Sequence, residues 1–459
     1  MRIETTHRVP FPLADVLAWH DRPGAVVRLT PPGLGGVEDP AAGGLRVGRV
    51  VSARLGPSIL PNPVRPRWVL RHREHEVEAD AGRFVDQQIH GPWRDWRHEH
   101  HFAADDHGTL VRDAVDLELP RRLESIAGPV RSQVRRLLAF RDRQLREDLH
   151  FHVRYADTPR RTIAITGSSG LIGTQLAALL ETGGHTVRRV VREASVRPDE
   201  IAWDPQAGAL DPADLEGVDV VVNLAGRSIA TRWTDGVRHE IRSSRIHGTA
   251  LIARTLAGMS DGPTALVQAS AIGFYGPRRP GELLTEADPG GEGVLADLVR
   301  DWERAAHAAR EAGIRTVSLR TGLALSDGGG PLQPQLPLFL AGLGGRLTDP
   351  EAMTSWITLD DVVRAFAHAA LNADVDGPIN AVGPQPVSAR EFARTLGAVL
   401  HRPALVPVPG FGPRLLLGSD AADELVRTDQ NVSDARLEAS GYEATHRTLE
   451  TALRHVLRR

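Results

Sequence analysis

The sequence predicts an α/β protein whose main body is a parallel sheet with crossover helices. A smaller α+β unit precedes it and a short helical extension follows. Three observations lead there. From about Arg161 onward, apolar strand-like runs alternate with longer helical stretches, the pattern of strands buried on both faces. Before that point, shorter alternating segments succeed one another and end in a single long amphipathic stretch. Between the two, Ala156-Asp157-Thr158-Pro159-Arg160 is polar and Pro-containing, as a linker would be. The expected organisation is residues 1–152, a linker at 153–161, residues 162–400 and an extension at 401–459.

At 459 residues the chain is too long for one ordinary domain. With 41% hydrophobic and 25% charged residues it reads as globular, and a net charge of -3 removes the broad electrostatic case for nucleic acid or anionic membrane. There is no Cys, which excludes disulfides, Cys-ligated zinc, iron–sulfur clusters and thiol nucleophiles. There is also no Lys, so all 55 basic residues are Arg, and Tyr occurs only at 155, 275 and 442. No phosphate-loop Lys, Schiff-base Lys or Tyr–Lys pair can exist here. The start, Met1-Arg2-Ile3-Glu4-Thr5, lacks the apolar core of a signal peptide, and no run of 18 apolar residues occurs, so a cytoplasmic protein without a membrane span is expected.

In the first unit, a helical stretch at 13–19 follows Pro12. Strand-like alternation then appears at 45–55, 67–75, 83–90, 96–102 and 109–119. Residues 129–149 place Val130, Val134, Leu138, Leu145 and Leu149 on one helix face. This order suggests a curved antiparallel sheet wrapped around the last helix, a shape that tends to enclose a cavity. In the second unit the strand-like runs are 162–166, 186–191, 218–224, 265–269 and 316–325. Ser388-Ala389-Arg390-Glu391 is a capping box that opens a helix over 392–400, and the Pro-rich stretch 402–413 leads to the tail.

Thr166-Gly167-Ser168-Ser169-Gly170-Leu171-Ile172-Gly173 joins the first of these strands to a helix. Glycines there permit a tight turn and close approach of backbone N–H groups to a pyrophosphate at the helix N-terminus. In this strand–turn–helix setting the string points to a dinucleotide and a Rossmann-type doubly wound sheet. The next strand carries Arg188, Arg189 and Arg192, suited to a 2′-phosphate, where an NAD site would usually place an acid; Glu193 stands one residue late. NADP is therefore the expected cofactor, with NAD the alternative.

From about Arg161 to the end, the chain resembles the extended short-chain dehydrogenase/reductases, and more narrowly the "epimerase family" grouped with nucleoside-diphosphate-sugar epimerases. The matching pieces are the glycine turn, Trp203-Asp204-Pro205, Asn223-Leu224-Ala225-Gly226, Arg232-Trp233-Thr234, Ser244-Arg245-Ile246 and Ser270-Ala271-Ile272-Gly273-Phe274-Tyr275-Gly276. Asp301-Trp302-Glu303, Arg320-Thr321-Gly322 and the stretch from Ser355 to Asp361 complete the set. The tail from about Pro403 is similar to that group's C-terminal domain. The first 150 residues, through their architecture and Gly91-Pro92-Trp93-Arg94-Asp95-Trp96-Arg97-His98, resemble the START-like, polyketide-cyclase/coenzyme-Q-binding superfamily with its helix-grip fold. The resemblance implies that Asn223, Ala225 and Gly226 border the nicotinamide ribose. It also implies a Ser/Thr that polarises the substrate, a Tyr that exchanges the proton, and a Lys four residues beyond it. This chain departs from all three: Ala271 stands at the Ser/Thr position with Ser270 one residue earlier, and the Tyr-x-x-x-Lys region reads Leu298-Val299-Arg300-Asp301-Trp302. Ser270 and Tyr275 remain as the candidate catalytic residues.

Other constellations have structural readings. Asp360-Asp361 precedes a helical run and suits N-terminal capping better than acid/base chemistry. Trp203 and Trp233 suit the core as well as a cleft. The Arg-rich stretch 131–146, with acids interleaved, reads as a solvated helix face. His98 and His100 would share one strand face, but the sequence places no third ligand beside them and no metal is expected. Two functions follow. One is an NADP-dependent oxidoreductase or epimerase acting on a small molecule. The other is a non-catalytic NADPH-binding protein coupled to a first unit that carries or senses an apolar ligand.

Overall fold

The computed structural model describes residues 1–39, 43–56, 62–192, 197–404 and 417–459. The chain divides into two compact units: Met1–Pro159 with Ala177–Gly184 and Arg458–Arg459, and Arg160–Leu176 with His185–Leu457.

In the first unit, β1 (Arg2–Val9), β2 (Gly35–Val37), β3 (Val50–Leu55), β4 (Arg67–Val77), β5 (Ala81–His90), β6 (Asp95–Asp105) and β7 (Gly108–Glu118) form one antiparallel sheet. Its order is β1-β7-β6-β5-β4-β3-β2. The long helix Ala127–Val153 supplies the apolar stripe read from the sequence. Val134 and Leu138 pack with Ile3, Trp68, Trp96 and Val115, while Leu145 and Leu149 pack with Val9, Phe84, Phe102 and Val111. Burying each such side chain is worth roughly 1.5–3 kcal/mol, so the stripe holds the helix against the sheet. The strand expected from residue 45 begins only at Val50.

One buried ion pair closes this unit. Arg28 donates from Nε and Nη2 to the two carboxylate oxygens of Asp148, both at 2.8 Å, and neither side chain has exposed surface. Gln144 donates to the same carboxylate at 3.0 Å. Removing the acid leaves a buried guanidinium uncompensated. Asp148→Ala is therefore expected to destabilise the unit by about 3–5 kcal/mol, read as a lower urea midpoint at unchanged slope.

The second unit holds an eight-stranded sheet. Its strands are β8 (Thr162–Thr166), β9 (Thr186–Val191), β10 (Glu200–Asp204), β11 (Ala209–Leu210), β12 (Val220–Asn223), β13 (Ala265–Ala271), β15 (Arg315–Thr321) and Gly377–Ala381; β14 (Arg278–Leu284) pairs instead with Asp429–Val432. The order is β11-β10-β9-β8-β12-β13-β15 followed by Gly377–Ala381, parallel except at β10–β11. Ile163, Ala164 and Ile165 have no exposed surface, as a central parallel strand covered on both faces requires. From β8 the chain first builds outward on one side, then crosses to β12 on the other. That reversal opens a crevice at the carboxyl ends of β8 and β12, where this topology places ligands.

Of the capping box, the serine half is seen: Ser388 accepts from the Glu391 N–H at 3.2 Å and opens the helix Ala389–Leu400. Asp360-Asp361 differs from the reading. The cap of the helix Leu359–Leu371 is Thr358, which accepts from the Asp361 N–H at 2.9 Å. Asp361 instead accepts from the Tyr442 hydroxyl and from the Thr445 and His446 N–H groups, anchoring the C-terminal segment. Most of the Pro-rich stretch 402–413, and Glu193, lie outside the described residues. Among the described residues, no helix is long and apolar enough to cross a membrane.

Candidate active site

The glycine turn sits at the carboxyl end of β8, ahead of the helix Leu171–Thr182. Gly167 has φ +66°, and a Cβ there would stand 2.8 Å from the Leu224 backbone. A Cβ on Gly173 would lie 2.2 Å from the Gly167 carbonyl oxygen. Side chains are thus excluded from both places. Ser169 and Gly170 lie exposed at the head of the helix, with Ser168, Leu171 and Ile172 half-buried beside them. This is the backbone surface that a pyrophosphate needs, and the residues present fit one.

Behind the turn, buried side chains pin it to the neighbouring strand. Thr166 lies opposite Asn223 in the β8–β12 register, and its hydroxyl donates to Asn223 Oδ1 at 2.7 Å. The same hydroxyl accepts from the Leu224 and Ala225 N–H groups, both at 3.1 Å. Asn223 then donates to Thr249 Oγ1 at 2.9 Å, which also accepts from the Trp302 indole at 3.0 Å. Gly226 is pressed against Arg245, whose Cζ would be 3.1 Å from an added Cβ. The Arg245 guanidinium donates to the Arg227 carbonyl and stacks 5.1 Å from the Trp302 ring. Burial pulls its pKa down to about 10, which still leaves it charged at neutral pH.

The three arginines expected to face a 2′-phosphate separate. Arg188 stands level with Ala164, short of the strand end, and donates to the Asp214 carbonyl at 2.6 Å. Arg189 pairs with Asp199 at 3.1 Å. Arg192 follows the last residue of β9 and is exposed. Strand register and local partners thus leave Arg192 as the member placed at the crevice edge.

A second buried network lies at the carboxyl end of β13. The Ser270 hydroxyl donates to Glu303 Oε1 at 2.6 Å. Arg320 clasps the same carboxylate from Nε and Nη2, both at 2.9 Å, and donates from Nη1 to the Tyr275 hydroxyl at 3.1 Å. Its charge is favoured above the ordinary guanidinium value, because the pairing with Glu303 outweighs burial. Its guanidinium also lies 3.5 Å from the Phe274 ring centroid. Tyr275 donates onward to Asn380 Oδ1 at 2.8 Å. This revises the expectation for Tyr275. The residue has no exposed surface, its hydroxyl is committed on both sides, and burial raises its pKa, so it is a protonated spacer beneath the site. Glu303, with 16% of its side chain exposed, is the open end of the chain of contacts.

This geometry has relatives. A model of the NAD dependent epimerase/dehydratase family matches residues 163–383, and one described only as a domain of unknown function matches 408–456. An epimerase family protein of Mycobacterium bovis is 40% identical over 298 residues, covering 65% of this chain and 98% of its own. The chain belongs to the epimerase family. The crystal structure of the nucleoside-diphosphate sugar epimerase from Corynebacterium glutamicum is similar at 33% identity and a TM-score of 0.80, over 99% of this chain and 90% of its own. Human epimerase family protein SDR39U1, solved with NADPH, is similar at 32% identity and a TM-score of 0.60, over 64% of this chain and 98% of its own.

The helix Val294–Arg304 carries Leu298-Val299-Arg300-Asp301-Trp302, with neither Tyr nor Lys. Its residues 298, 299 and 302 are buried, and its last turn sends two neighbours to two networks. Trp302 reaches Asn223 through Thr249, while Glu303 reaches Ser270 and Arg320. Glu303, Arg320 and Arg245 all lie in the motifs that carry the resemblance, yet none has a local signal for its partner. Trp203 and Trp233 are core residues, packed among Leu251 and Leu256 and around Ile241 and Leu298 respectively.

Proposed function

We propose that this chain is an NADP(H)-dependent oxidoreductase or epimerase acting on a small molecule, with its proton handled by Ser270 and Glu303 in place of a Tyr–Lys pair. The observation that carries this reading is the placing of both networks at the same carboxyl edge of the sheet, coupled through adjacent residues 302 and 303. NADPH in the human relative supports the choice of cofactor. Thr166, Gly167, Gly173, Asn223, Ala225 and Gly226 would hold the dinucleotide, and Arg192 would meet a 2′-phosphate. When bound, the nicotinamide supplies or accepts a hydride at its C4 carbon. Arg245 provides fixed positive charge beside the Asn223–Gly226 segment, the contribution a Lys would otherwise make. Glu303, held by Arg320, accepts the Ser270 proton, leaving the serine oxygen free to take a proton from substrate or return one. A purely carrying role is less well supported, because it leaves this buried charged set without a use. We read the first unit as a START-like helix-grip domain, its sheet closed around the helix Ala127–Val153.

Calorimetric titration tests the cofactor reading. NADPH is expected to bind more tightly than NADH. Arg192→Ala is expected to weaken NADPH about 10- to 100-fold, the worth of one charge-assisted contact, and to leave NADH unchanged. Equal affinities in the unaltered protein would contradict the assignment.

A further inference from the structure

The cavity of the first unit, about 80 Å³, has a mostly apolar lining that includes Leu29, Leu70 and Phe84, and one polar cluster of His72, Asp86, His98 and His100 set into it. Asp86 on β5 lies directly across from His98 on β6, and His100 follows on the same strand face. One ligand atom from each of the three can be chosen so that all lie within 4.8 Å of one another. The third ligand that the sequence could not place is thus supplied by strand pairing.

We propose that Asp86, His98 and His100 form a binding site for one divalent first-row transition cation, with two nitrogen ligands, one oxygen ligand and an open position facing the cavity. Their surroundings have the form of a metal site. Asp113 Oδ1 lies 3.0 Å from His98 Nε2 and 2.8 Å from His100 Nδ1, so one carboxylate orients both rings and frees the opposite nitrogens. His72 Nδ1 stands 2.6 Å from Asp86 Oδ1, a close electrostatic contact on the far side of that carboxylate. His100 Nε2 and Asp86 Oδ2 are 3.5 Å apart, too far for a strong hydrogen bond. Two atoms each about 2.1 Å from one cation at a tetrahedral angle stand about 3.4 Å apart, which is this spacing. Two imidazoles and a carboxylate suit zinc or a neighbouring metal rather than calcium or magnesium.

A second observation points to an occupant. Trp68 and Trp96 line the same cavity, buried to 9% and 4% exposure, and their indole N–H groups find no hydrogen-bond partner among the described residues. Two unmatched donors in the same cavity suit an oxygen-bearing ligand there.

The test titrates zinc chloride into the full chain after chelator treatment, and records the visible spectrum of the cobalt-loaded protein. One tight equivalent is expected. His98→Gln and His100→Gln should abolish it, Asp113→Asn should weaken it about 10- to 100-fold, and the exposed His307→Gln should leave it unchanged. The cobalt spectrum should show the intense bands of four- or five-coordinate metal. It decides the matter should the histidine variants fail to fold. Unaltered zinc affinity in folded His100→Gln, or a weak water-like cobalt spectrum, would overturn the proposal.

Discussion

Gly173→Ala is expected to lower NADPH affinity by roughly 100-fold or more, the scale of a displacement of about 1 Å at a preorganised site. The added methyl would meet the Gly167 carbonyl oxygen at 2.2 Å and the Ser168 Cα at 2.9 Å. Both obstacles are backbone, so relief requires moving the turn itself away from the helix it feeds. Gly236, outside the turn, is the internal control. A Cβ there would meet nothing within 4 Å, and its φ is ordinary. Gly236→Ala should therefore cost a few-fold at most. Fluorescence titration with NADPH, with circular dichroism to establish folding, separates the two. Similar affinity in both variants would mean that the turn does not cradle the cofactor.

Glu303→Gln is expected to carry the largest effect on the stability of the second unit. Arg320 has 4% of its side chain exposed and relies on that carboxylate for two of its hydrogen bonds. A neutral amide keeps one acceptor oxygen for Arg320 but removes the second and the countercharge, leaving the buried cation uncompensated. Breaking one side of such a pair costs about 3–5 kcal/mol. Removing both charges should be milder: the double variant Glu303→Gln/Arg320→Met is expected to lose less than the sum of the two single changes. Additive losses in urea unfolding would show that the two side chains do not act as a unit.

The parts of this molecule written in local pattern could be read from the chain. The continuous apolar run at Ile163–Ile165 marks a central strand, the spacing from Val134 to Leu149 marks the helix face that meets the first sheet, and Ser388 with Glu391 marks a helix start. What could not be read depends on register and long-range pairing. Arg188, Arg189 and Arg192 look equivalent along the chain, yet a parallel ladder sets only Arg192 beyond the strand end. Ser270, Glu303 and Arg320 come from two strands and a helix, and nothing within any one segment announces the others. Tyr275 is a candidate only because the resemblance calls for a phenol near Ser270, and that carries no information about its burial. Asp86 and Asp113 reach the histidines of β6 from strands on either side, so the pairing of three strands had to be known first.

The central claim is that this epimerase-family chain handles its proton through Ser270 and Glu303. Transient NADPH oxidation by the unaltered protein and by Ser270→Ala, across a panel of carbonyl compounds including nucleoside-diphosphate sugars, tests it most directly. The expected result is a loss of roughly 100-fold in the oxidation rate with NADPH affinity unchanged, the size of one positioned proton-transfer group. A Ser270→Ala protein that oxidises NADPH as fast as the unaltered chain would contradict it.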